Sequence, residues 1–215
     1  MSYVNPNAII EIFNKLNTSG FEYILIRNIN NELPTGLRIG KDIDLLVHYN
    51  DRREFINFLK TSGFKRINHP HQHDKFLYGV RIFEFFVNKD NVLLDLNYQL
   101  ACRSLNAGEW IPLDNKIQDS AWKNKVTNKI DNFSFYSLGL EDEFVALVTR
   151  SIFDKKEFQD GYMERIEELM NHIDANEVIA KFQLIFFKFT PVLFSMLKER
   201  QYKAVLDRYL SFMEY

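Results

Sequence analysis

The sequence predicts an α/β domain followed by an all-helical one. Three observations carry this. Through residue 137, short runs rich in β-branched and aromatic residues alternate with amphipathic helical stretches. One of those runs, Asp42-Ile-Asp-Leu-Leu-Val47, sets two carboxylates at alternate positions of an apolar strand. After Leu138 the strand-like runs stop and only helical periodicity remains.

The elements follow in order. Asn5-Pro6-Asn7 opens a helix whose Ile9, Ile10, Ile12, Phe13 and Leu16 recur at helical spacing, with Gly20 past its end. Residues 21–27 read as a buried strand. Residues 28–41, containing Pro34, Gly36 and Gly40, read as a loop. The Asp42 strand runs to His48. A helix from Asp51 presents Phe55, Ile56, Phe58 and Leu59 inward and stops at Gly63, and a short strand covers 64–68. His69 to Asp74 is a polar loop. Residues 76–87 look like a strand or a hairpin bent at Gly79, 88–91 a turn, and Val92 to Asn97 a strand with Asp95 in its middle. The pattern weakens from Tyr98 to Phe133, where Trp110 and Trp122 imply packing, and 133–136 is a further short strand. Helices are expected at 140–155, 160–173, 176–187, 191–200 and 202–213. The first of them opens on Glu141, Asp142 and Glu143, where negative charge suits the helix dipole. Domain boundaries of 1–137 and 138–215 follow.

Composition narrows the class. The chain of 215 residues is 46% hydrophobic, with 20 Phe and 10 Tyr, so an aromatic-rich core is within reach. Lys and Arg number 27 against 29 Asp and Glu, a balance that argues against broad nucleic-acid binding. The single Cys102 excludes an internal disulfide, fits a reducing, cytoplasmic setting, and is best read as a small buried hydrophobe. The start, Met-Ser-Tyr-Val-Asn-Pro, lacks a charged segment followed by an apolar one, so no signal peptide is expected. The apolar stretch 178–197 is interrupted by Lys181, Gln183, Lys188 and Pro191, so no membrane span is expected there.

Chemistry is expected at the acids. Residues i and i+2 of a strand share a face, so Asp42 and Asp44 project together while Ile43, Leu45 and Val47 point to a core. Like charges so placed repel unless a cation or proton lies between them. Asp95, flanked by Leu93, Leu94 and Leu96, is an acid on a half-buried strand and needs a partner. Three carboxylates on neighbouring strands make an oxygen-rich site for Mg²⁺ or Mn²⁺, completed by substrate phosphates. Paired ions of this kind clamp the attacking and leaving oxygens of displacement at phosphorus. The residue chemistry therefore points to phosphoryl or nucleotidyl transfer.

The pattern Tyr23-Ile-Leu-Ile-Arg-Asn28, then Leu33-Pro34, then Gly40-Lys-Asp-Ile-Asp-Leu-Leu-Val47 resembles the nucleotidyltransferase superfamily of the DNA polymerase β type. Within it the chain is most similar to bacterial nucleotidyltransferase-like proteins associated with surface-polysaccharide genes. The resemblance covers roughly residues 5–100 and implies a mixed sheet with flanking helices, a helical domain behind it, and a site in the cleft between them. It assigns Asp42 and Asp44 to the metal pair and Asp95 to the third acid, which binds metal and deprotonates or orients the acceptor hydroxyl. Its phosphate-binding turns fall at Arg27-Asn28 and Gly40-Lys41, and Arg38, a loop cation near the expected site, is a further candidate phosphate contact. Where the superfamily has Gly-Gly or Gly-Ser after the first strand, this chain has Arg27-Asn28, and it has Gly40-Lys41 in place of Gly-Ser before the acids. That departure extends the donor choice to nucleotide diphosphate conjugates, as in the phosphocholine transferases of lipopolysaccharide.

The implied function is Mg²⁺-dependent transfer of a nucleotidyl or substituted phosphoryl group from a nucleotide donor to a hydroxyl of a small molecule or glycan. Three alternatives stand beside it: a non-catalytic nucleotide- or partner-binding member of the fold, an aminoglycoside-type enzyme, and an antitoxin-like enzyme. Arg27 is equally read as a phosphate ligand or as a structural partner of one of the acids. His69, His71 and His73 lack the spacing of zinc motifs and read as a polar loop. Phe182, Ile185, Phe186, Phe187 and Phe189 are core or a contact with another subunit.

Overall fold

The computed structural model describes residues 2–68, 84–103 and 110–210. In chain order the elements are α1 (Pro6–Thr18), β1 (Tyr23–Leu25), β2 (Asp42–Val47), α2 (Arg52–Thr61), β3 (Lys65–Ile67), β4 (Glu84–Val87), β5 (Leu93–Asn97), β6 (Ala101–Arg103), β7 (Trp110–Pro112), α3 (Asn115–Lys123), β8 (Val126–Ile130), β9 (Phe133–Ser137), α4 (Leu140–Arg150), α5 (Asp160–Met170), α6 (Ala175–Phe186), α7 (Thr190–Lys198) and α8 (Tyr202–Leu210). The loop of His69, His71 and His73 and the expected bend at Gly79 lie outside the described residues.

The described chain forms two compact units. One holds residues 2–68, 84–99 and 125–138; the other holds 100–103, 110–124 and 139–210. The first is built on a seven-stranded sheet in the order β3-β4-β5-β2-β1-β9-β8. β2 pairs parallel with β5, and β1 with β9; the other neighbours are antiparallel. This is the mixed α/β architecture that the sequence predicts.

Helices cover one face of this sheet because α1 and α2 each present an apolar stripe. In α1, Asn5 accepts a hydrogen bond from the Asn7 amide (3.0 Å), Pro6 sits in the first turn, and Ile9, Ile12, Phe13 and Leu16 are buried. Phe13 meets Tyr23, Phe133 and Phe135 edge-on, with ring centroids 5.8, 5.0 and 6.4 Å away. Leu45, Val47, Leu94, Leu96 and Phe86 from the central strands join the same core. Full burial of one such side chain contributes about 1.5–3 kcal/mol.

The strand 21–27 shortens to Tyr23–Leu25, and the loop after it is folded rather than open. The Val4 amide donates to the Leu37 carbonyl (2.9 Å) and the Ile39 amide to the Ser2 carbonyl (3.1 Å), while Leu33 and Leu37 are buried. A Cβ on Gly36 would stand 2.9 Å from the Glu32 carbonyl oxygen, and Gly40 has φ +89°, so both need glycine.

In the second unit the antiparallel β6–β7 pair and α3 lie in the stretch where sequence periodicity is weakest. Gln118 ties them: its side chain accepts from the Leu100 amide (2.8 Å) and donates to the Leu100 carbonyl (2.7 Å). α4 is shorter than the expected 140–155. From Ser151 the backbone widens into a π-helical turn ending at Lys156, whose φ is +53°. Ser151 Oγ donates back to the Leu147 carbonyl (2.8 Å), a bond that competes with the regular helical ladder. Residues 175–198 are long and apolar enough to cross a membrane by length and composition, and 39% of the most apolar 18 residues within them is buried. The stretch is not one straight helix: Phe187, at φ +49° and ψ −125°, separates α6 from α7. Lys181 within it is buried and pairs with Asp142 (2.8 Å) and Glu177 (2.7 Å).

Candidate active site

Register brings the acids together. β2 and β5 run parallel with Asp42 opposite Leu93, Asp44 opposite Asp95 and Leu46 opposite Asn97. Opposed residues on neighbouring strands share a face, so Asp44 and Asp95 stand side by side with Asp42 two residues along. One carboxylate oxygen from each of Asp42, Asp44 and Asp95 lies within 4.8 Å of the others. Asp42 and Asp44 are half-buried, and Asp95 is only 9% exposed. The intervening Ile43, Leu45, Leu94 and Leu96 belong to the core packed against α1 and α2, which pins this register, since a one-residue slip would bury the acids and expose the leucines.

Arg27 joins the cluster. It follows β1, where the Ile26 amide donates to the Asp44 carbonyl (3.0 Å) and carries the chain alongside β2. The Arg27 guanidinium engages both oxygens of Asp44: Nε donates to Oδ2 (3.2 Å), and the terminal nitrogen pairs with Oδ1. Both side chains are mostly buried. Of the two roles open to Arg27, pairing with an acid is thus formed in the structure. Three carboxylates and one guanidinium leave a formal charge of −2 (−3 + 1).

The other phosphate candidates are placed differently. Asn28 accepts from the Leu33 amide (3.0 Å) and so closes the loop on itself. Its Nδ2 is buried with no hydrogen-bond partner among the described residues. Lys41 pairs with Glu32 (2.6 Å) on an exposed side of the loop. Arg38 bridges Tyr3 through its backbone, and its carbonyl accepts from the Lys41 amide (3.0 Å) across the Gly40 turn. That turn delivers the chain straight into Asp42.

The donor set fits a small divalent cation. All three ligands are hard anionic oxygens, as such ions require, and oxygens on opposite sides of Mg²⁺ stand about 4.2 Å apart. Neighbouring oxygens around such an ion stand about 2.9 Å apart, so the three carboxylates, whose ligand atoms lie within 4.8 Å of one another, would draw in on it by side-chain rotation.

A family model described as uncharacterised nucleotidyltransferase matches residues 7–187. The chain belongs to this nucleotidyltransferase family. No curated protein matches it. Solved structures similar to the nucleotidyltransferase include the antibiotic-resistance factor ANT(2'')-Ia, at 12% identity and TM-score 0.50, covering 91% of this chain and 96% of that one. A lincosamide antibiotic adenylyltransferase with lincomycin bound aligns at 14% identity and TM-score 0.48, over 80% of this chain and all of the other. An antigenic nucleotidyltransferase-like protein from Paracoccidioides brasiliensis aligns at 14% identity and TM-score 0.46, over 90% and 91% of the two chains.

Two neighbours of the acids escape sequence reasoning. Phe85 of β4 stands opposite Asp95, and Asn97 lies two residues beyond Asp95 on the same face, its Nδ2 donating to the Asp95 carbonyl (3.2 Å). Strand alternation within β5 could have found Asn97; Phe85 needs the pairing register, which no spacing along the chain reports. A second charged group in the nucleotidyltransferase lies on the opposite sheet face. Glu84, fully buried, receives two hydrogen bonds from Arg52 (both 2.8 Å), pairs with Arg66 (3.1 Å) and accepts the Tyr98 hydroxyl proton. Burial, and then this bond, push the Tyr98 phenol pKa well up, so it stays a donor. Glu84 faces the helices rather than the acids and braces β4 to α2.

Proposed function

We propose that the chain catalyses divalent-metal-dependent transfer of a nucleotidyl group, or a substituted phosphoryl group, from a nucleotide donor to a hydroxyl of a small molecule or glycan. The observation that carries the reading is the Asp44–Asp95 juxtaposition across β2 and β5, with Asp42 beside it. Asp42, Asp44 and Asp95 would hold the metal, Mg²⁺ or Mn²⁺, which when bound neutralises phosphate charge and polarises the phosphorus under attack.

The chain's own residues do the rest. Asp95, buried and flanked by acids, accepts the proton of the acceptor hydroxyl as that oxygen bonds to phosphorus and the phosphate leaving group departs with the electrons of the broken P–O bond. Phe85 stands opposite it as an apolar wall that excludes water from the acceptor side. Arg27 is the cation nearest the donor phosphates, and the buried Nδ2 of Asn28 is a donor for a phosphate oxygen. Arg38 and Lys41, on the loop that ends at Asp42, are further candidate phosphate contacts, Lys41 by exchanging Glu32 for a phosphate oxygen. Residues 1–137 supply the catalytic part and the cytoplasm the setting. Surface-polysaccharide assembly is the pathway class that the sequence resemblance favours, and a small-molecule acceptor such as an antibiotic is the class favoured by the names of the structural neighbours.

Calorimetry with Mn²⁺ and each nucleoside triphosphate in turn, on the wild type and Asp44→Asn, tests the reading. Metal-dependent nucleotide binding that Asp44→Asn abolishes supports it. Nucleotide binding indifferent to metal, or unchanged in Asp44→Asn, refutes it.

A further inference from the structure

Arg27 spans both oxygens of Asp44, one of the three carboxylates that offer a ligand atom to a cation. A guanidinium in that position is a resident countercharge. It lowers the local field that would draw in a free divalent ion, and it occupies lone pairs that such an ion would use. It is also a planar fork suited to phosphate oxygens, so an incoming polyphosphate offers it an alternative anionic partner of equal or higher charge. Arg27 lies two residues beyond the end of β1 and two before a short 3-10 turn at Ile29–Asn31, in the connecting segment where the chain leaves the sheet.

Resting on the metal-and-donor reading above, we propose that Arg27 is an exchangeable latch on Asp44. It suppresses binding of the metal alone and transfers to the donor phosphates when metal and polyphosphate arrive together, so the site is loaded by a metal–polyphosphate complex rather than by successive entry of ion and then donor. The two bound species are thereby coupled through one side chain, and the coupling is reciprocal. In the unloaded site the latch also keeps the acids close without a metal, which preserves their geometry between turnovers.

The proposal makes a prediction of opposite sign for two probes. Full-length wild type, Arg27→Met and Arg27→Lys are titrated with Mn²⁺ alone, followed by electron paramagnetic resonance of the free ion, and with a preformed 1:1 Mn²⁺–tripolyphosphate complex, followed by calorimetry. Arg27→Met should bind free Mn²⁺ at least about tenfold tighter than wild type and the complex at least about tenfold weaker. Arg27→Lys, which keeps the charge but loses the fork, should shift both values in the same directions by less. If Arg27→Met does not fold, as judged by circular dichroism, Arg27→Lys decides by the same signs. Affinities for both probes that fall together indicate a purely structural residue and overturn the proposal; affinities that rise together overturn it too, by showing that Arg27 makes no phosphate contact. If neither affinity changes while Asp44→Asn abolishes Mn²⁺ binding, the latch is wrong and the metal site stands. If no variant binds either probe, the metal-and-donor reading falls with it.

Discussion

Removing one charge from the acid cluster should make the protein more stable and less active at once. Asp95→Asn keeps the shape of the side chain and deletes its charge. At the outer separation of 4.8 Å, two unit negative charges repel by about 3.5 kcal/mol at an effective dielectric near 20. Arg27 offsets part of this through Asp44, and solvent reaches the half-buried Asp42 and Asp44, so the net relief is smaller, about 1 kcal/mol. For a chain of this size that raises the thermal midpoint by about 2–4 °C. The assay is thermal unfolding at pH 7 in low salt with EDTA, repeated with saturating Mg²⁺. Asp95→Asn should melt above the wild type in EDTA, and the gap should shrink at high salt. With Mg²⁺ the order should reverse, because only the wild type gains from the metal. Transfer activity should fall at least about a thousandfold, some 4 kcal/mol in the barrier. A variant that melts more than 2 °C below the wild type in EDTA would refute the claim that these carboxylates are held in mutual repulsion for function.

Other parts of the molecule give further tests. Glu84→Gln should cost about 2–3 kcal/mol and lower the midpoint by about 4–12 °C, since it weakens the bonds from Arg52, Arg66 and Tyr98; Mn²⁺ affinity should not change, because Glu84 lies on the other sheet face. Burial pushes the Cys102 thiol pKa up to about 12, so it should resist alkylation at pH 8 in the native protein and react on unfolding; prompt native labelling would contradict the packing. The hydrogen bond from Lys125 holds the Glu22 carboxyl below 4.5. A depressed folded-state value means the stability it contributes is present above about pH 4.5 and lost as pH falls through the folded value. Glu22→Gln should therefore show a shallower loss of stability between pH 5 and 3 than the wild type.

The sequence made the ends of the argument readable and left the middle dark. Asp42-Ile-Asp44 could be seen because strand alternation is local, and Asp95 because a lone acid among leucines is conspicuous. Their meeting is a matter of register: Asp44 faces Asp95 only because β2 and β5 are parallel and offset as they are, and residues 51 positions apart carry no mark of that. Arg27 was visible as a charge at a strand end, but the structural partner of that charge comes from β2 folding back beside β1. Residues 98–133 gave a weak pattern because β6 and β7 are three residues each and α3 is nine, too short for either period to declare itself. The long helix expected to Lys155 ends early at Ser151, where a side-chain bond to the Leu147 carbonyl accompanies the widened turn. The apolar run from 178 to 197 concealed its break, since Phe187 takes a left-handed φ that its residue type does not advertise.

The most direct test of the central claim is the mass of what the enzyme makes. The purified chain is incubated with Mg²⁺, a nucleotide library and a panel of hydroxyl acceptors that includes sugars, glycans and antibiotics, and the mixture is read by mass spectrometry beside Asp44→Asn. The account predicts an acceptor carrying the mass of one nucleotidyl or substituted phosphoryl group, formed only with divalent metal and lost in Asp44→Asn. Adduct formation that survives in Asp44→Asn or in EDTA would contradict it.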